Sequence, residues 1–541
     1  MQIKPKQGWF LAFTAVFAVL AGFVFWGTWS TDMAPVMPDC PTSYPVHWFR
    51  SFLVGWLTDG KFAPAEAINW IGHPVIWTEF QYAFAAYMSA LGMVYFLRGR
   101  GLSRVASYGA GLLLAFSGYW FSLFSAGHLG WFQWMTYGVF VFGLIDRALT
   151  KGKVRHWLLL GACLAWGSMR QADLWLLFSA FSAVYFVFRA VCVLVDAPRE
   201  ARPRQLLPWF KGSLIALAAL LCVGLASFRS AFVNDLAGRD KQIAEGQTVG
   251  GNVKDEAEKR WIFTTNWSMP PEAVKEFWNA RVEGDTSCLM TLAIGNGRHN
   301  GIKPYTGRLG RPKDAPSGNY RQHSLYVGGV TCLLAILGLA LGLRQKNRDV
   351  IFLAVSAVVF CLFSMGRYCE PIYRLVYALP FGDYLRAPVK WHHLTEFCLV
   401  ALAGYGIFLF SEAPWHKVSI GSRGKTAILA IVVLLGACNL AYVNRFFCAP
   451  HRVDSDIQLV DARILQDKRG VAQLNALHAR PLGTVGGAAA IEIPRPDPKN
   501  EPAPELPKPA PVPLTLGILS AISTLLVLGF ALASVIRRKR A

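Results

Sequence analysis

Residues 77–125, WTEFQYAFAAYMSALGMVYFLRGRGLSRVASYGAGLLLAFSGYWFSLFS, hold two apolar runs separated by Arg98, Arg100 and Arg104. Each run has the length of a membrane-crossing helix. Such a helix needs roughly 20 mostly apolar residues, because the hydrocarbon core is about 30 Å thick and a helical residue rises about 1.5 Å. A short basic connection between two such runs marks a hairpin whose turn stays in the cytoplasm.

The same alternation extends in both directions. Apolar stretches lie near 8–28, 77–97, 105–125, 130–147, 157–170, 173–195, 213–231, 325–343, 350–365, 391–411, 426–444 and 513–536. Lys4 and Lys6 precede the first. Every second connection is then basic: Arg98, Arg100, Arg104; Lys151, Lys153, Arg155; Arg199, Arg202, Arg204, Lys211; Arg344, Lys346, Arg348; Lys417, Arg423, Lys425; and finally Arg537, Arg538, Lys539, Arg540. One parity runs through all seven segments, which predicts about twelve spans with both termini cytoplasmic. The expected fold is an all-α, polytopic integral membrane protein.

Composition points the same way, with 54% hydrophobic and 16% charged residues. The net charge of +21 is a topology signal together with attraction to anionic lipid headgroups, not a nucleic-acid footprint. No A-x-A-like cleavage site follows the first apolar stretch, so a retained anchor is expected. Seven of the 11 cysteines fall in predicted spans, and Cys40, Cys288, Cys369 and Cys448 fall on the outer side, where up to two disulfides can form in any of three pairings.

Four outer segments are long and polar: 28–76, 232–324, 367–393 and 445–512. The first has helical apolar spacing over 46–57, suited to lying on the membrane surface. The second is large enough for a lid, with Ser268 and the prolines after it reading as a helix start. The fourth ends in PRPDPKNEPAPELPKPAPVP, an extended spacer before the last span. The expected division is a transmembrane domain over 1–444 with outer loops at about 28–76, 232–324 and 366–390, an outer segment over 445–512, and a final helix with a basic tail over 513–541. No internal repeat is evident, and few acids lie at the predicted midplane, which weighs against transport. Most charges near the spans sit at predicted outer ends, Arg170, Asp173, Arg229 and Glu396 among them, and this places a site at that interface.

Asp32 and Asp39 follow the first span closely, where a carboxylate can serve as general base at the membrane surface. Solvated loop acids are the alternative for both. Arg386 and Lys390, in GDYLRAPVK, flank Pro388 just before a span. Two cations at headgroup depth suit a lipid-linked phosphate, Arg through its planar fork and Lys as a point charge, though they equally suit an interfacial anchor. His128, in SAGHLGWFQW, sits in an aromatic outer turn fit for carbohydrate or for the aromatic belt of any membrane protein. His392 and His393 are adjacent, so on a helix they point about 100° apart and make a poor joint metal site. No Gly-rich phosphate loop, Cys-x-x-Cys, H-E-x-x-H or G-x-S-x-G is present.

The order of several blocks resembles the bacterial YfhO-like membrane proteins of the GT-C glycosyltransferase superfamily. The blocks are IGHPVIWTEFQYAFAAYMSALGMVYFLRGRGLSRVASYGAGLLLAFSGYW, GHLGWFQWMTYGVFVFGLIDRAL, SLYVGGVTCLLAILGLALGLRQKNRDV and FSMGRYCEPIYRLVYALPFGDYLRAPVKWHHLTEFCLVALAGYGI. Together they carry the likeness over most of 1–444, with LRAPVK after LPFGDY the most specific phrase. The resemblance implies a GT-C architecture with a catalytic Asp in the first outer loop, Asp39 by preference or Asp32. It also implies a polyprenyl-phosphate-linked sugar as donor and a cell-envelope glycan, lipid or protein as acceptor. Arg386 and Lys390, with Arg170 or Arg229, would then stabilise the departing lipid phosphate. No cofactor is called for, and a divalent metal stays an open option. The first loop departs from the family pattern, being Pro-rich with Cys40 inserted. The expected setting is the outer face of a bacterial inner membrane. The competing expectations are a transporter or flippase of a lipid-linked saccharide and a non-catalytic envelope-assembly scaffold.

Overall fold

The computed structural model of the chain describes residues 5–25, 33–36, 74–118, 120–121, 129–169, 172–230, 240, 243, 255–279, 325–380, 382–412, 422–448, 458–461 and 514–540. Apart from turns and two four-residue strands, these residues are helical. The helices are α1 Pro5–Val24, α2 Pro74–Gly99, α3 Arg104–Ala115, α4 Leu129–Lys151, α5 Val154–Ser168, α6 Ala172–Asp196, α7 Arg202–Ser230, α8 Glu256–Thr265, α9 Gly329–Arg344, α10 Arg348–Ser364, α11 Glu370–Tyr377, α12 His392–Glu412, α13 Ser422–Cys448 and α14 Leu514–Arg540.

The short connections turn sharply because polar side chains take over the amide protons that a helix start leaves unpaired. Ser103 accepts from Ala106 N–H at 3.3 Å to open α3, and Asn347 accepts from Asp349 and Val350 N–H at 3.0 and 3.2 Å to open α10.

A helix occupies each of the twelve apolar stretches. Six of the described helices are long and apolar enough to cross a membrane, or seven if α10 and Gly366–Tyr377, bent by 113°, count as one span. The α3, α5 and α9 helices have 12, 15 and 16 residues, short of the roughly 20 a crossing needs. Two boundaries differ from the expected ones. The stretch expected to run unbroken to 125 is interrupted after Ala115 and is helical again at Gly118, Trp120 and Phe121; at the break Gly118 N–H donates to the Tyr326 carbonyl just before α9, at 2.7 Å. The stretch expected to start at 213 is helical from Arg202, with Pro208 inside it, so the basic cluster there belongs to the helix and not to a loop.

The apolar surface has two destinations. In α12 and the turn before it, 78% of Pro388–Glu412 is buried inside the protein, against 28% of Arg199–Arg229. Thus α12 is the central post, packed on α9, α10, α3 and α13. The peripheral helices carry exposed stripes at helical spacing instead: Val184, Val187, Val191 and Val195 on α6, and Leu214, Leu217, Leu221 and Leu225 on α7. Continuous apolar stripes of this kind are unfavourable against water and match hydrocarbon. The chain is therefore a helical membrane protein.

Glycines set the closest crossings, as expected where lipid gives helices little hydrophobic reason to associate. A Cβ on Gly338 of α9 would lie 2.2 Å from the Leu402 carbonyl oxygen, and one on Gly406 of α12 would lie 2.1 Å from that of Leu334. Gly406→Val must push the two helices apart, at a cost of about 1–3 kcal/mol or more. Thermal unfolding of the purified protein is expected to show that loss. Gly22→Ala, where the added atom meets nothing within 4 Å, is expected to be silent.

At the end of the bundle bearing the basic connections, charges join five helices. Arg100, just past α2, donates through Nε to Asp349 of α10 at 3.1 Å and lies 3.6 Å from Asp146 of α4. Arg189 of α6 donates to Asp146 at 2.8 Å and reaches Asp349 at 3.5 Å. Tyr185 donates to both Asp146 oxygens at 3.0 Å, and Tyr405 of α12 donates to Asp349 at 2.9 Å. Burial opposes the charge on Arg100, yet the fields of Asp349 and Asp146 outweigh it and hold the guanidinium above its ordinary pKa. Charges thus gather at this end of the bundle as well as at the ends expected to face outward. Arg100 and Arg348 were legible as topology signals, whereas this inner network was not.

The strands β1 Met33–Val36 and β2 Gln458–Asp461 pair antiparallel, Met33 opposite Asp461 and Val36 opposite Gln458. They tie the stretch after α1 to the stretch after α13.

Candidate functional site

Lys390 lies in the single 3-10 turn Pro388–Trp391, which feeds directly into α12. A charge this close to a span end has to find a partner or water. Lys390 is buried, and its ammonium pairs with the carboxylate of Asp173, equally buried in the first turn of α6. Six residues on, Glu396 is fully buried and accepts a hydrogen bond from Ser117 Oγ, just beyond α3. His393 stacks on Trp120 with ring centroids 4.2 Å apart, and its Nδ1 lies 4.0 Å from Glu396 Oε2. His392 turns the other way, against Phe277 at 4.6 Å. The two imidazoles thus face different neighbours, as their adjacency on a helix requires. Among the described residues no three His, Cys, Asp or Glu side chains converge as a metal site.

Over this buried cluster's end of the bundle, residues 255–279 interlock with 364–391. Met269 N–H donates to the Ser364 carbonyl at 2.8 Å, Val389 N–H donates to the Trp267 carbonyl at 3.3 Å, and Arg367 N–H donates to Ser268 Oγ at 3.0 Å. The expected helix start after Ser268 is present as a 3-10 turn, Pro271–Phe277. Three residues here take the left-handed region: Trp267 at φ 59°, Ala387 at φ 66° and Gly366 at φ 50°. Gly366 has a direct reason, since a Cβ there would lie 2.1 Å from Ser268 Oγ. Non-glycine residues held this way store strain that the surroundings must impose, and such residues cluster at functional sites.

Two half-buried guanidinium groups lie against residues 263–267 of this segment. Arg386 lies over the rings of Trp267 and Phe263, 4.7 and 5.3 Å from their centroids. Arg367 donates to the Thr265 carbonyl at 3.3 Å, to Thr265 Oγ1 at 3.4 Å and to Asn266 Oδ1 at 3.3 Å. Nearer the surface, Arg260 bridges Asp240 at 3.0 Å and Asp383 at 3.3 Å. Burial opposes its charge, but hydrogen bonds with Tyr384 and Asp240 prevail and raise its pKa.

Of the residues singled out by sequence, Arg386 and Lys390 fall on one short segment. Their surroundings differ: Arg386 lies against aromatic rings, while Lys390 is taken up by Asp173. Arg229 is half-buried in the last turn of α7. Asp32, Asp39, His128 and Arg170 lie outside the described residues, as do the surface helix at 46–57 and the Pro-rich spacer. Asp32 and Asp39 bracket β1 in sequence. Cys369 is a free thiol, while the side chains of Cys40, Cys288 and Cys448 are not among those described. Sequence reasoning missed Ser117 and Trp120 as members of the site, and saw Arg367 only as a cation upstream of Arg386 and Lys390. It noted Asp173 and Glu396 only as costly intramembrane acids, and that cost was the available signal for seeking their partners.

No protein-family model matches the chain, and no curated protein matches it.

Proposed function

We propose that the protein is a membrane glycosyltransferase of GT-C type, moving a sugar from a polyprenyl-phosphate donor to a cell-envelope acceptor at the outer face of a bacterial inner membrane. In this reading all twelve apolar helices cross the membrane and both termini are cytoplasmic. The observation that carries it is the pair of half-buried guanidiniums, Arg367 and Arg386, on the strained aromatic segment 263–268. Guanidinium forks bind phosphate oxygens in bidentate fashion, and aromatic faces suit sugar rings. Asp39, or Asp32, takes the proton from the acceptor hydroxyl. The freed oxygen attacks the anomeric carbon, the bond from that carbon to the phosphate oxygen breaks, and its electron pair leaves on the lipid phosphate. Arg386 stabilises the charge that develops there. Lys390, neutralised by Asp173, holds the turn that carries Arg386.

One observation favours a second reading, a flippase for a lipid-linked saccharide. The 113° break between α10 and Gly366–Tyr377 has the form of the interrupted helices found around transporter sites.

The test is sugar transfer from a polyprenyl-phosphate donor in proteoliposomes. Charge-assisted hydrogen bonds contribute about 1.5–3 kcal/mol, so Arg386→Lys is expected to lower transfer roughly 10- to 150-fold while protein abundance holds. Asp39→Asn should abolish transfer yet retain donor binding. Wild-type rates for Arg386→Lys, Asp39→Asn and Asp32→Asn together would sink the transferase reading. Donor crossing the bilayer unconsumed would favour the flippase.

A further inference from the structure

The helix α7 is longer than a membrane crossing needs. Its 29 residues rise about 43 Å, against a hydrocarbon core of about 30 Å. Counting about 20 residues back from its end at Ser230 reaches Lys211, so the turns before Lys211 stand at headgroup depth, on the side of the basic connections. Those turns are pinned, since Trp209 Nε1 donates to the Leu149 carbonyl of α4 at 3.1 Å. On the exposed side, Arg204, Leu207, Lys211, Leu214, Leu221 and Leu225 recur at the spacing of a single helix face. Two cations thus stand at the head of a leucine stripe. From Leu214 to Leu225 the stripe rises about 16 Å, close to the depth of one leaflet. The neighbouring helix adds charge at the same depth. Gly161 of α5 backs on the Ala216 carbonyl and Gly212 of α7 backs on Trp157, so the two helices run parallel and Lys153 comes level with Pro208, between the two cations. Among the described residues no carboxylate pairs with Arg204 or Lys211: Asp196 takes Arg348 at 2.8 Å, and the exposed Glu200 stands before α7 begins.

We propose that this face of α7 retains one anionic phospholipid of the adjoining leaflet, its phosphodiester against Arg204 and Lys211 and an acyl chain along Leu214 to Leu225. This is narrower than the attraction of any basic surface to anionic lipid, because here the charges and the apolar stripe share one helix face. Arg204 offers the phosphate a planar fork of donors. Lys211 has a four-carbon stem, long enough to lie on the stripe while its ammonium reaches the headgroup. A zwitterionic headgroup would bring a positive group back to the two cations. A second copy of the chain is a poor occupant, because in a symmetric parallel pair Arg204 would meet Arg204 and Lys211 would meet Lys211.

The experiment uses the full-length protein in nanodiscs of equal phosphatidylglycerol and phosphatidylcholine. A trace of one lipid or the other carries a photoactivatable diazirine on its acyl chain, and labelled peptides are mapped by mass spectrometry. In the wild type the phosphatidylglycerol probe is expected to label Leu214–Leu225 about 25-fold above the phosphatidylcholine probe, since each cation near the surface contributes about fivefold. Lys211→Gln should lower that ratio about fivefold, and it keeps Arg199, Arg202 and Arg204 as the topology signal. Arg204→Gln with Lys211→Gln should remove most of the preference. Arg344→Gln with Lys346→Gln, an equal loss of charge on the connection from α9 to α10, should leave it unchanged. A wild-type ratio near one, an unchanged ratio in Lys211→Gln, or an equal fall in the Arg344 and Lys346 variant overturns the proposal. Loss of the label to millimolar glycerol phosphate would assign the cations to a soluble anion and overturn it too. Cross-links between two copies of α7 in place of lipid label would give the face to self-association, with the same result.

Discussion

Asp146→Ala is expected to destabilise the folded protein by about 3–5 kcal/mol, the cost of leaving buried charge uncompensated. In the native network Asp146 and Asp349 share Arg100 and Arg189. Removing Asp146 leaves two guanidiniums on one carboxylate and takes the hydrogen-bond acceptor from Tyr185. The double variant Asp146→Leu with Arg189→Met deletes one positive and one negative charge and leaves Arg100 on Asp349. It should therefore recover most of the loss, because replacing a whole buried pair by apolar groups is often neutral. Unfolding of the detergent-purified protein, followed by tryptophan fluorescence, gives the three-way comparison. A single-variant loss below about 1 kcal/mol would mean that water reaches the network and that the helices are not locked by it.

The second large effect is expected at the outer end. Lys390→Met leaves the Asp173 carboxylate buried without its cation, again a loss of about 3–5 kcal/mol. Lys390→Met combined with Asp173→Leu should be much closer to wild type in stability. The same pair of variants separates support from chemistry. If Lys390 acts by holding the turn under Arg386, the stable double variant regains sugar transfer. If the ammonium itself contacts the lipid phosphate, stability returns and transfer does not. Equal destabilisation by the single and double changes would show that the two side chains are not coupled.

These expectations mark how far the sequence could be read. Hydropathy located α2, α6 and α12 because each is a predominantly apolar helix of more than 20 residues, 26, 25 and 21 in turn. It ran past the break after α3, since FSGYWFSLFS remains apolar after Ala115, and the contact at that break comes from Tyr326, far along the chain. Distance in sequence also hid the inner network. Asp146 and Asp349 were ordinary acids near span ends until Arg100 and Arg189 were brought between them. At the outer site, LRAPVK stood out by its cations, but nothing local reveals that Ala387 is left-handed or that Asp173 holds Lys390. Arg367 was visible as an upstream cation. Its place against Thr265 and Asn266 depends on a loop that hydropathy reads only as polar.

The ribbon of β1 and β2 joins positions separated by nearly the whole chain. At roughly 5–20 residues per second of synthesis, Met33 waits on the order of 20 to 90 seconds before its partner Asp461 has even been made. Strand β1 must spend that interval with its edge unpaired, a template for other extended chains. Pairing of the two strands is thus a late step of biogenesis. A ribosome stalled before 458 would leave most of the bundle inserted but β1 still unpaired.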